Sequence, residues 1–357
     1  MLRIKVTEII DYGAEIFARV GCAPEEARRV ATSLVDANLT GHDSHGVIRI
    51  PRYVDWALAG DLVPGQTLTR LVDAPSFAVV DGNYGFGPTV APQAVDLGIE
   101  KAKATGLAAI ALRNSGHLGR VGQWAERAAA EGLVSIHFVN AASSVLVAPF
   151  GALERRFSTA PFCVGIPRPD APPVMLDFAT SIVAEGKIAV ASQGGKVLRA
   201  DALIGPDGEP SNDPGLFYGP TAPDGSRNYN LGKAAIRAFG EHKGSGLALV
   251  CELLGGALTG TGASSPERKR FANGMFSLYL DSACFDPAHL FDAEVARYVE
   301  WVLSAKPIPG ERVMTPGEPE RATREERTAN GLPITPGTLA SIAAAASKVG
   351  VLRGLQS

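Results

Sequence analysis

The chain has 357 residues, of which 46% are hydrophobic and 20% charged, with a formal net charge of −3 at pH 7. This composition is typical of a globular protein of two or three domains, and no basic stripe points to nucleic acid as a partner. No apolar run is long enough for a membrane span, and acids near the N-terminus argue against a signal peptide. The cysteines are far apart and fit neither disulfides nor a zinc site, so we expect a reduced, cytoplasmic protein.

In the first part of the chain, helix and strand patterns alternate. Apolar residues at helical spacing predict two helices within 6–38, and Pro51 begins a short helix that ends before Gly60. Because Ile50 precedes this proline, we expect Ile50 to avoid the α conformation. The pattern then predicts strands at 76–81 and 133–141, helices at 88–106 and 120–132, and in 107–117 a buried strand that ends in a polar turn.

The sequence pattern changes in the middle of the chain. Short apolar runs, among them IAVA (188–191), are separated by turn residues across 142–235 and predict an antiparallel or mixed β region. Helices are predicted again at 243–259, 293–305 and 339–350, with a strand at 276–281. The last helix is rich in alanine and is expected to pack on the N-terminal helices, which makes the first domain discontinuous.

The usual dinucleotide fingerprint is missing. A Rossmann site needs G-x-G-x-x-G between a strand and a helix, and the nearest stretches, 82–87 and 240–246, lack that order. No G-x-x-x-x-G-K-[ST] phosphate loop is present either. A nucleotide, if one binds, has to be held by another kind of fold.

The segment TGHDSHGVIRIPRYV (40–54) concentrates polar residues between two predicted helices. On a helical turn His45 and Arg49 share one face, with Cβ atoms about 5–6 Å apart. Arginine can clamp the carboxylate of a small 2-oxo or 2-hydroxy acid while a neighbouring histidine moves a proton on the adjacent oxygen. Two alternatives stay open: side chains that only cap helices, and a metal site with His42 and His45 as ligands, although no further ligand pair is evident.

Three further stretches carry candidate site residues. His117 follows a predicted buried strand, where functional side chains often emerge, or is merely a helix-start residue. Asp177 interrupts an apolar strand, so its carboxylate needs a partner such as histidine, unless it is a cap. Lys243 and the glycines after it open an apolar helix and suit a phosphate group, or form a solvated turn.

Together and in this order, these stretches resemble the type 2 malate/L-lactate dehydrogenase family, which includes sulfolactate and ureidoglycolate dehydrogenases, diketogulonate reductase and piperideine-2-carboxylate reductase. The resemblance covers nearly the whole chain. It is carried by SHGVIRIPRY (44–53), NSGHLGRVGQWAERA (114–128), APFG (148–151), LDFATS (176–181), GK (186–187), KGSGLALVCELLGGALTG (243–260), PGEPE (316–320) and the tail 331–351.

The resemblance implies an α/β fold without Rossmann topology, in which a largely antiparallel or mixed sheet binds the cofactor beside a mostly helical, discontinuous domain. It implies NAD or NADP as cofactor and a homodimer with the active site between domains. The corresponding domains are a helical one (1–70 and 320–357), a small α/β one (71–130 and 290–319) and the NAD(P)-binding mixed β one (131–289).

The resemblance also assigns residues by motif. Either His45 or His117 is the acid/base, Arg49 holds the substrate carboxylate, Ser44 supports the site and Asp177 orients a histidine. No metal is expected. The cofactor contacts are Leu176, Phe178, Ala179, Thr180, Ser181, Ile182, Lys243, Gly317, Glu318 and Pro319.

We therefore predict an NAD(P)-dependent dehydrogenase that transfers a hydride between the cofactor and C2 of a small 2-hydroxy or 2-oxo carboxylic acid, such as malate or lactate. A reductase of a cyclic imino acid such as piperideine-2-carboxylate fits the same residues. A metal-dependent hydrolase built on HDSH (42–45) is a further alternative. Glu185, Glu241 and His242 depart from the family pattern, so coenzyme and substrate identity stay open.

Overall fold

The computed structural model describes residues 2–192, 196–220 and 228–355. Short 3₁₀ helices lie at Asp43–His45, Val47–Arg49 and Tyr229–Leu231, and a π-helix at Glu252–Leu258. The α-helices are α1 (Val6–Arg19), α2 (Pro24–Leu39), α3 (Ile50–Leu58), α4 (Gly87–Thr105), α5 (Gly122–Ala130), α6 (Glu185–Ser192), α7 (Pro214–Tyr218), α8 (His242–Cys251), α9 (Ser282–Phe285), α10 (Phe291–Leu303), α11 (Glu318–Asn330) and α12 (Pro336–Lys348). The strands are β1 (Leu2–Ile4), β2 (Thr69–Asp73), β3 (Phe77–Asp81), β4 (Leu107–Ser115), β5 (Leu133–Ala141), β6 (Val147–Ala148), β7 (Pro161–Ile166), β8 (Val174–Ala179), β9 (Leu203–Ile204), β10 (Pro210–Ser211), β11 (Ala235–Arg237), β12 (Asn273–Asp281) and β13 (Leu332–Ile334).

The chain forms two compact units, both discontinuous in sequence. The first comprises Met1–His137, Cys163–Asp177 and Ser277–Ser357, and the second Phe138–Phe162 and Phe178–Phe276. The boundaries fall inside strands β5, β7, β8 and β12. The division into three domains stays a prediction.

A helical core lies in the first unit. Apolar residues at helical spacing put one face of α1, including Ile9 and Phe17, against α2 and α3, and these side chains are fully buried. Ile342 of α12 belongs to the same core, so the predicted return of the alanine-rich helix to the N-terminal helices is confirmed. Strands β1 and β13 pair antiparallel beside it, with Leu2 opposite Ile334.

The largest sheet among the described residues has seven strands in the order β2-β3-β4-β12-β5-β7-β8. It is mixed, because β2 pairs antiparallel with β3 while β3 runs parallel to β4. Strand β4 ends at Ser115, and the loop that follows carries His117 before α5 begins at Gly122. His117 thus follows the end of a buried strand, as the sequence predicts.

The second unit holds a smaller mixed sheet with the order β10-β9-β11-β6. Strand β11 pairs antiparallel with β9 and parallel with β6. Its core is apolar and includes Val147, Leu203, Phe217 and Ile236, each with no measurable exposure.

The structure corrects two expectations. Ile50 has φ −51° and ψ −51° and belongs to α3; its side chain is buried in the helical core, and that packing outweighs the preference imposed by Pro51. The run 188–191 is part of helix α6 and not a β segment. Four apolar residues fit either structure, so periodicity alone does not distinguish them.

Candidate active site

Two short 3₁₀ turns carry His45 and Arg49 into helix α3. The N–H of His45 donates to the carbonyl of His42 at 2.8 Å, and the N–H of Arg49 donates to the carbonyl of Gly46 at 2.9 Å. These turns bring His45 and Arg49 close in space, as the helical spacing considered from the sequence requires. They present both side chains at one end of α3.

Asn38, at the end of α2, fixes this segment. Its Oδ1 accepts the N–H of Val47 at 2.8 Å, and its Nδ2 donates to Asp43 at 2.6 Å. A Cβ at position 46 would lie 2.1 Å from Asn38 Oδ1, so glycine is required there. The Arg327 guanidinium of α11 donates to the Asn38 carbonyl at 2.5 Å and to Asp43 at 2.5 Å.

The two histidines meet directly. His45 Nδ1 lies 3.1 Å from His117 Nε2, and the ring planes are 5° apart. His117 Nδ1 lies 2.7 Å from the hydroxyl of Tyr53, a residue of α3 that is only 1% exposed. These contacts make a linear chain of hydrogen bonds from a buried phenol through two imidazoles.

Both imidazoles are held neutral. Burial and then the positive charge of Arg49 lower the pKa of His45 from 6.5 to about 3. The same two causes, in the same order, lower the pKa of His117 well below 6.5. A neutral imidazole is a proton acceptor, so the resting pair has the character of a general base.

Arg49 is anchored by the neighbouring backbone. Its Nε donates to the carbonyl of Ser44 at 2.6 Å, which fixes the guanidinium plane. Its charge is close enough to lower the pKa of His45 and of His117. The structure thus brings together four of the predicted site residues, which are Ser44, His45, Arg49 and His117.

Asp177 lies in the first unit with different partners. Its Oδ2 accepts the N–H of Gly122 at 2.7 Å. Burial raises the pKa of this carboxyl group, and the charges of His42 and Arg120 oppose that effect. The histidine whose charge acts on Asp177 is His42. That Asp177 orients His45 or His117 therefore stays a prediction.

A cavity of about 720 Å³ lies beside Asp177, within the first unit. Its lining includes Arg120, Asp177, Gly317 and Glu320. Arg120 Nε and Glu320 Oε2 are buried there without a hydrogen-bond partner among the described residues. The volume falls in the range of about 300–1,000 Å³ common for small-molecule pockets, and the two atoms offer a ligand one donor and one acceptor.

The proposed cofactor residues of the first unit are Leu176 and the turn Gly317, Glu318 and Pro319. Gly317 has φ +94°, a left-handed conformation that favours glycine. Glu318 accepts the hydroxyl of Thr315 at 2.6 Å and its N–H at 2.9 Å, and these bonds lower the pKa of Glu318. The turn is thus rigidly fixed at the start of α11.

The proposed cofactor residues of the second unit form a second group. Thr180 donates its N–H to the Thr159 carbonyl at 3.1 Å and its hydroxyl to the Ala160 carbonyl at 2.9 Å. Ile182 donates to the Arg237 carbonyl at 2.8 Å. Lys243 is exposed in the first turn of α8. The group also contains Phe178, Ala179 and Ser181.

The described residues contain neither a metal-binding cluster nor a helix suited to a membrane. No group of three or more histidine, cysteine, aspartate or glutamate side chains in that part of the chain is arranged to hold a metal ion. None of its helices combines the length and apolar character that crossing a bilayer requires.

Comparison with known proteins identifies the family. The model of a family described as malate/L-lactate dehydrogenase matches residues 4–343. The chain belongs to the malate/L-lactate dehydrogenase family. It is therefore an oxidoreductase, which confirms the resemblance drawn from the motifs and removes the basis of the hydrolase hypothesis.

Named relatives show the range of activities in this family. Hydroxycarboxylate dehydrogenase B of Escherichia coli is 38% identical over 341 residues, covering 94% of this chain and 91% of the relative. A Δ¹-pyrroline-2-carboxylate/Δ¹-piperideine-2-carboxylate reductase of Pseudomonas putida is 34% identical over 261 residues, 73% of this chain and 72% of the relative. The solved structure of malate dehydrogenase from Pyrococcus horikoshii superposes with a TM-score of 0.85 at 30% identity, covering 99% of this chain and 97% of that one.

Sequence reasoning missed Tyr53 in this malate/L-lactate dehydrogenase family member. The residue stands four positions after Arg49 on α3, so helical spacing places the two on one face. This spacing was the one feature of the sequence that could have identified Tyr53 as a neighbour of the site. The partner of Tyr53 is 64 positions away at His117, and no local pattern reveals such a contact.

Proposed function

We propose that this chain is an NAD(P)-dependent dehydrogenase that interconverts a small 2-hydroxy carboxylic acid and its 2-oxo acid. The observation that carries the proposal is the 3.1 Å contact between His45 Nδ1 and His117 Nε2 beside the charge of Arg49. A proton carrier and a carboxylate receptor in one place are what such a substrate requires. We further propose that the enzyme is a cytoplasmic homodimer; its unpaired cysteines suit a reducing compartment.

Arg49 binds the substrate carboxylate in this proposal. Its Nε bond to Ser44 fixes the guanidinium plane, and the terminal amino groups are the part that pairs with a carboxylate in bidentate geometry. A carboxylate fixed in this way brings the oxygen on C2 toward the histidine pair. Asp177 contributes negative charge on the side of His42 and Arg120.

The histidine pair moves the proton. In the oxidation direction the neutral pair accepts the proton of the substrate hydroxyl, and in the reduction direction the protonated pair returns it to the oxygen. Burial is the larger cause of the lowered pKa of His45, and the charge of Arg49 is the second. A bound carboxylate compensates the charge of Arg49, so substrate binding removes the second cause and raises the pKa of His45 from its value in the free enzyme.

The described residues fit a nicotinamide dinucleotide without a Rossmann motif. In the first unit, the buried Arg120 Nε and Glu320 Oε2 offer a donor and an acceptor to a polar ligand beside the Gly317 turn. In the second unit, exposed Lys243 at the start of α8 suits a phosphate group, and a Cβ at Gly246 would have no neighbour within 4 Å. When bound, the cofactor supplies the hydride exchanged with C2.

A second candidate substrate is a cyclic imino acid. It is favoured by the similarity to the P. putida reductase, whose name includes Δ¹-piperideine-2-carboxylate. Arg49 would keep its role, and the histidine pair would exchange its proton with the ring nitrogen. The two candidates differ in the atom that accepts the proton.

The test combines a substrate panel with one substitution. Purified enzyme is assayed with 2-oxo acids and cyclic imines, each with NADH and with NADPH. In Arg49→Lys we expect the KM of the best acid to rise about 10–100-fold, because the bidentate clamp is lost, while NADH affinity stays unchanged.

The matched control is Arg52→Lys, an exposed arginine three positions further on that lies over the Trp56 ring at 5.9 Å. We expect this variant to keep the wild-type KM. Equal KM values in the two variants would remove Arg49 from substrate binding. No turnover with any acid or imine in either coenzyme would refute the proposed function.

A further inference from the structure

Tyr53 has a position that its packing does not explain. The ring lies in the helical core near Phe17 and Phe86, with centroids 6.1 Å and 5.9 Å away. A phenylalanine would fill this space without placing a polar group there. The hydroxyl instead lies between two polar atoms of His117, 2.7 Å from Nδ1, which accepts or donates according to the tautomer, and 3.3 Å from the backbone carbonyl oxygen.

The hydrogen-bond chain has only two neutral arrangements. If the Tyr53 hydroxyl donates to His117 Nδ1, then His117 carries its proton on Nε2 and donates to His45 Nδ1. His45 then has its own proton on Nε2. If the hydroxyl turns to the carbonyl oxygen, His117 Nδ1–H donates to the phenol oxygen, His117 Nε2 accepts from His45 Nδ1–H, and His45 Nε2 carries a lone pair.

We propose that Tyr53 is a positioning residue whose hydroxyl orientation sets whether His45 Nε2 is a proton donor or a proton acceptor. The inference rests on the proposed function and adds the control of its acid/base pair. A hydroxyl that points to the carbonyl prepares the base form for oxidation. When His45 Nε2 then takes the substrate proton, the pair gains one proton and the phenol oxygen remains the acceptor of His117 Nδ1–H.

The same geometry governs the protonated pair. With one extra proton, His45 Nε2 and His117 Nδ1 both carry N–H, and the third proton is shared between His45 Nδ1 and His117 Nε2. The His117 Nδ1–H then donates to the phenol oxygen of Tyr53 at the end of the chain. Without the phenol oxygen, a buried N–H or a buried lone pair loses its partner. The pKa of the histidine pair must then fall further, because losing this hydrogen bond destabilises the protonated pair more than the neutral pair.

The first experiment uses the wild-type, ligand-free protein. Histidine-selective ¹⁵N labelling distinguishes Nδ1–H from Nε2–H tautomers, and the His45→Gln and His117→Gln spectra assign the two rings. A head-to-tail chain requires both rings to carry the proton on the same nitrogen type. Different tautomers in the two rings would overturn the inference, whether or not any substrate is turned over.

The second experiment compares Tyr53→Phe with Tyr12→Phe. Tyr12 is buried in the same core and 2% exposed, and its side chain lies under Arg353 rather than beside a histidine. In Tyr53→Phe we expect the ¹⁵N signals of both His45 and His117 to change, although only His117 touches the substituted residue. We also expect kcat to fall about 10–100-fold and the pKa that governs kcat/KM to fall by about one unit.

In the same variant the KM of the acid should stay within about twofold, since Arg49 is intact. Tyr12→Phe should match wild type in every readout. If the Tyr53→Phe histidine signals and pH profile equal those of Tyr12→Phe, Tyr53 is structural only. Changed histidine signals in an enzyme without activity on the panel would support the inference and refute the proposed function.

Discussion

At the scale of single residues, the segment that carries His45 is held by close contacts with Asn38, and these contacts exclude a larger residue at position 46. Asn38 occupies the space that a side chain at position 46 would need, while its amide bonds Val47 and Asp43 on either side of that position. One buried amide therefore sets the path of the chain that presents His45. A methyl group at position 46 would collide with that amide and displace the segment that presents His45.

Gly46→Ala tests this expectation. A Cβ 2.1 Å from Asn38 Oδ1 has to push the amide or the backbone aside, so we expect a loss of about 1–3 kcal/mol in unfolding free energy and at least a tenfold loss of kcat. Urea denaturation and steady-state kinetics measure the two effects. Gly354→Ala is the control, because a Cβ there would have no neighbour within 4 Å. Wild-type kinetics in Gly46→Ala would show that the segment adapts freely.

At the scale of elements, helix α11 is attached by charge rather than by apolar packing. None of its residues is buried. Arg324 pairs with Asp36 at 2.6 Å, Arg327 pairs with Asp43 at 2.5 Å, and Glu320 lies 3.6 Å from His42. These contacts link the Gly317 turn, proposed to bind the cofactor, to the segment that carries His45.

Arg327→Gln should loosen this link. Its side chain is only 13% exposed, and the substitution leaves Asp43 and the Asn38 carbonyl without their cation. We expect a cost of about 1–2 kcal/mol and faster amide hydrogen exchange in both α11 and residues 42–47. Arg297→Gln is the control, because the exposed guanidinium of Arg297 pairs with Glu294 within the same helix, α10. Faster exchange confined to α11 would argue against a link to the His45 segment.

The elements also differ in how well they can be predicted from the sequence. Helices α1, α2 and α4 follow from apolar periodicity, and the convergence of His45, Arg49 and His117 follows from their motifs. Helix α11 has almost no apolar face, so its pattern gave no signal. Likewise β1 and β13 are three residues each and pair across the length of the chain. Contacts made only by tertiary packing, such as Tyr53 with His117, are not encoded in any local pattern.

At the scale of the whole molecule, buried neutral histidines make stability depend on pH. The pKa of His45 and that of His137 are each lowered to about 3, chiefly by burial, and the pKa of His117 is lowered well below 6.5. Below pH 6.5 the unfolded chain binds protons that the native protein does not. Stability is therefore complete above about pH 6.5 and falls as the pH falls toward 4.

His137→Gln isolates one of these groups. His137 has no measurable exposure and is hydrogen-bonded to Ser135 and Ser277, apart from the proposed chemistry. We expect the unfolding free energy of the variant to fall less steeply with acid, by about 1.4 kcal/mol per pH unit between pH 6 and 4. Asp177, whose raised pKa acts in the opposite direction at low pH, is common to both proteins. Parallel stability curves would show that His137 is protonated in the native state.

The pairing of β1 with β13 sets an order of events during synthesis. Helices α1 and α2 are synthesised long before Leu332, Ile334 and Ile342, so the apolar surface that they share with these residues stays uncovered while the intervening chain is translated. The second unit ends at Phe276, so all of its residues are translated before Leu332. During that interval the nascent chain exposes an apolar surface, and such a surface favours aggregation until the late residues cover it.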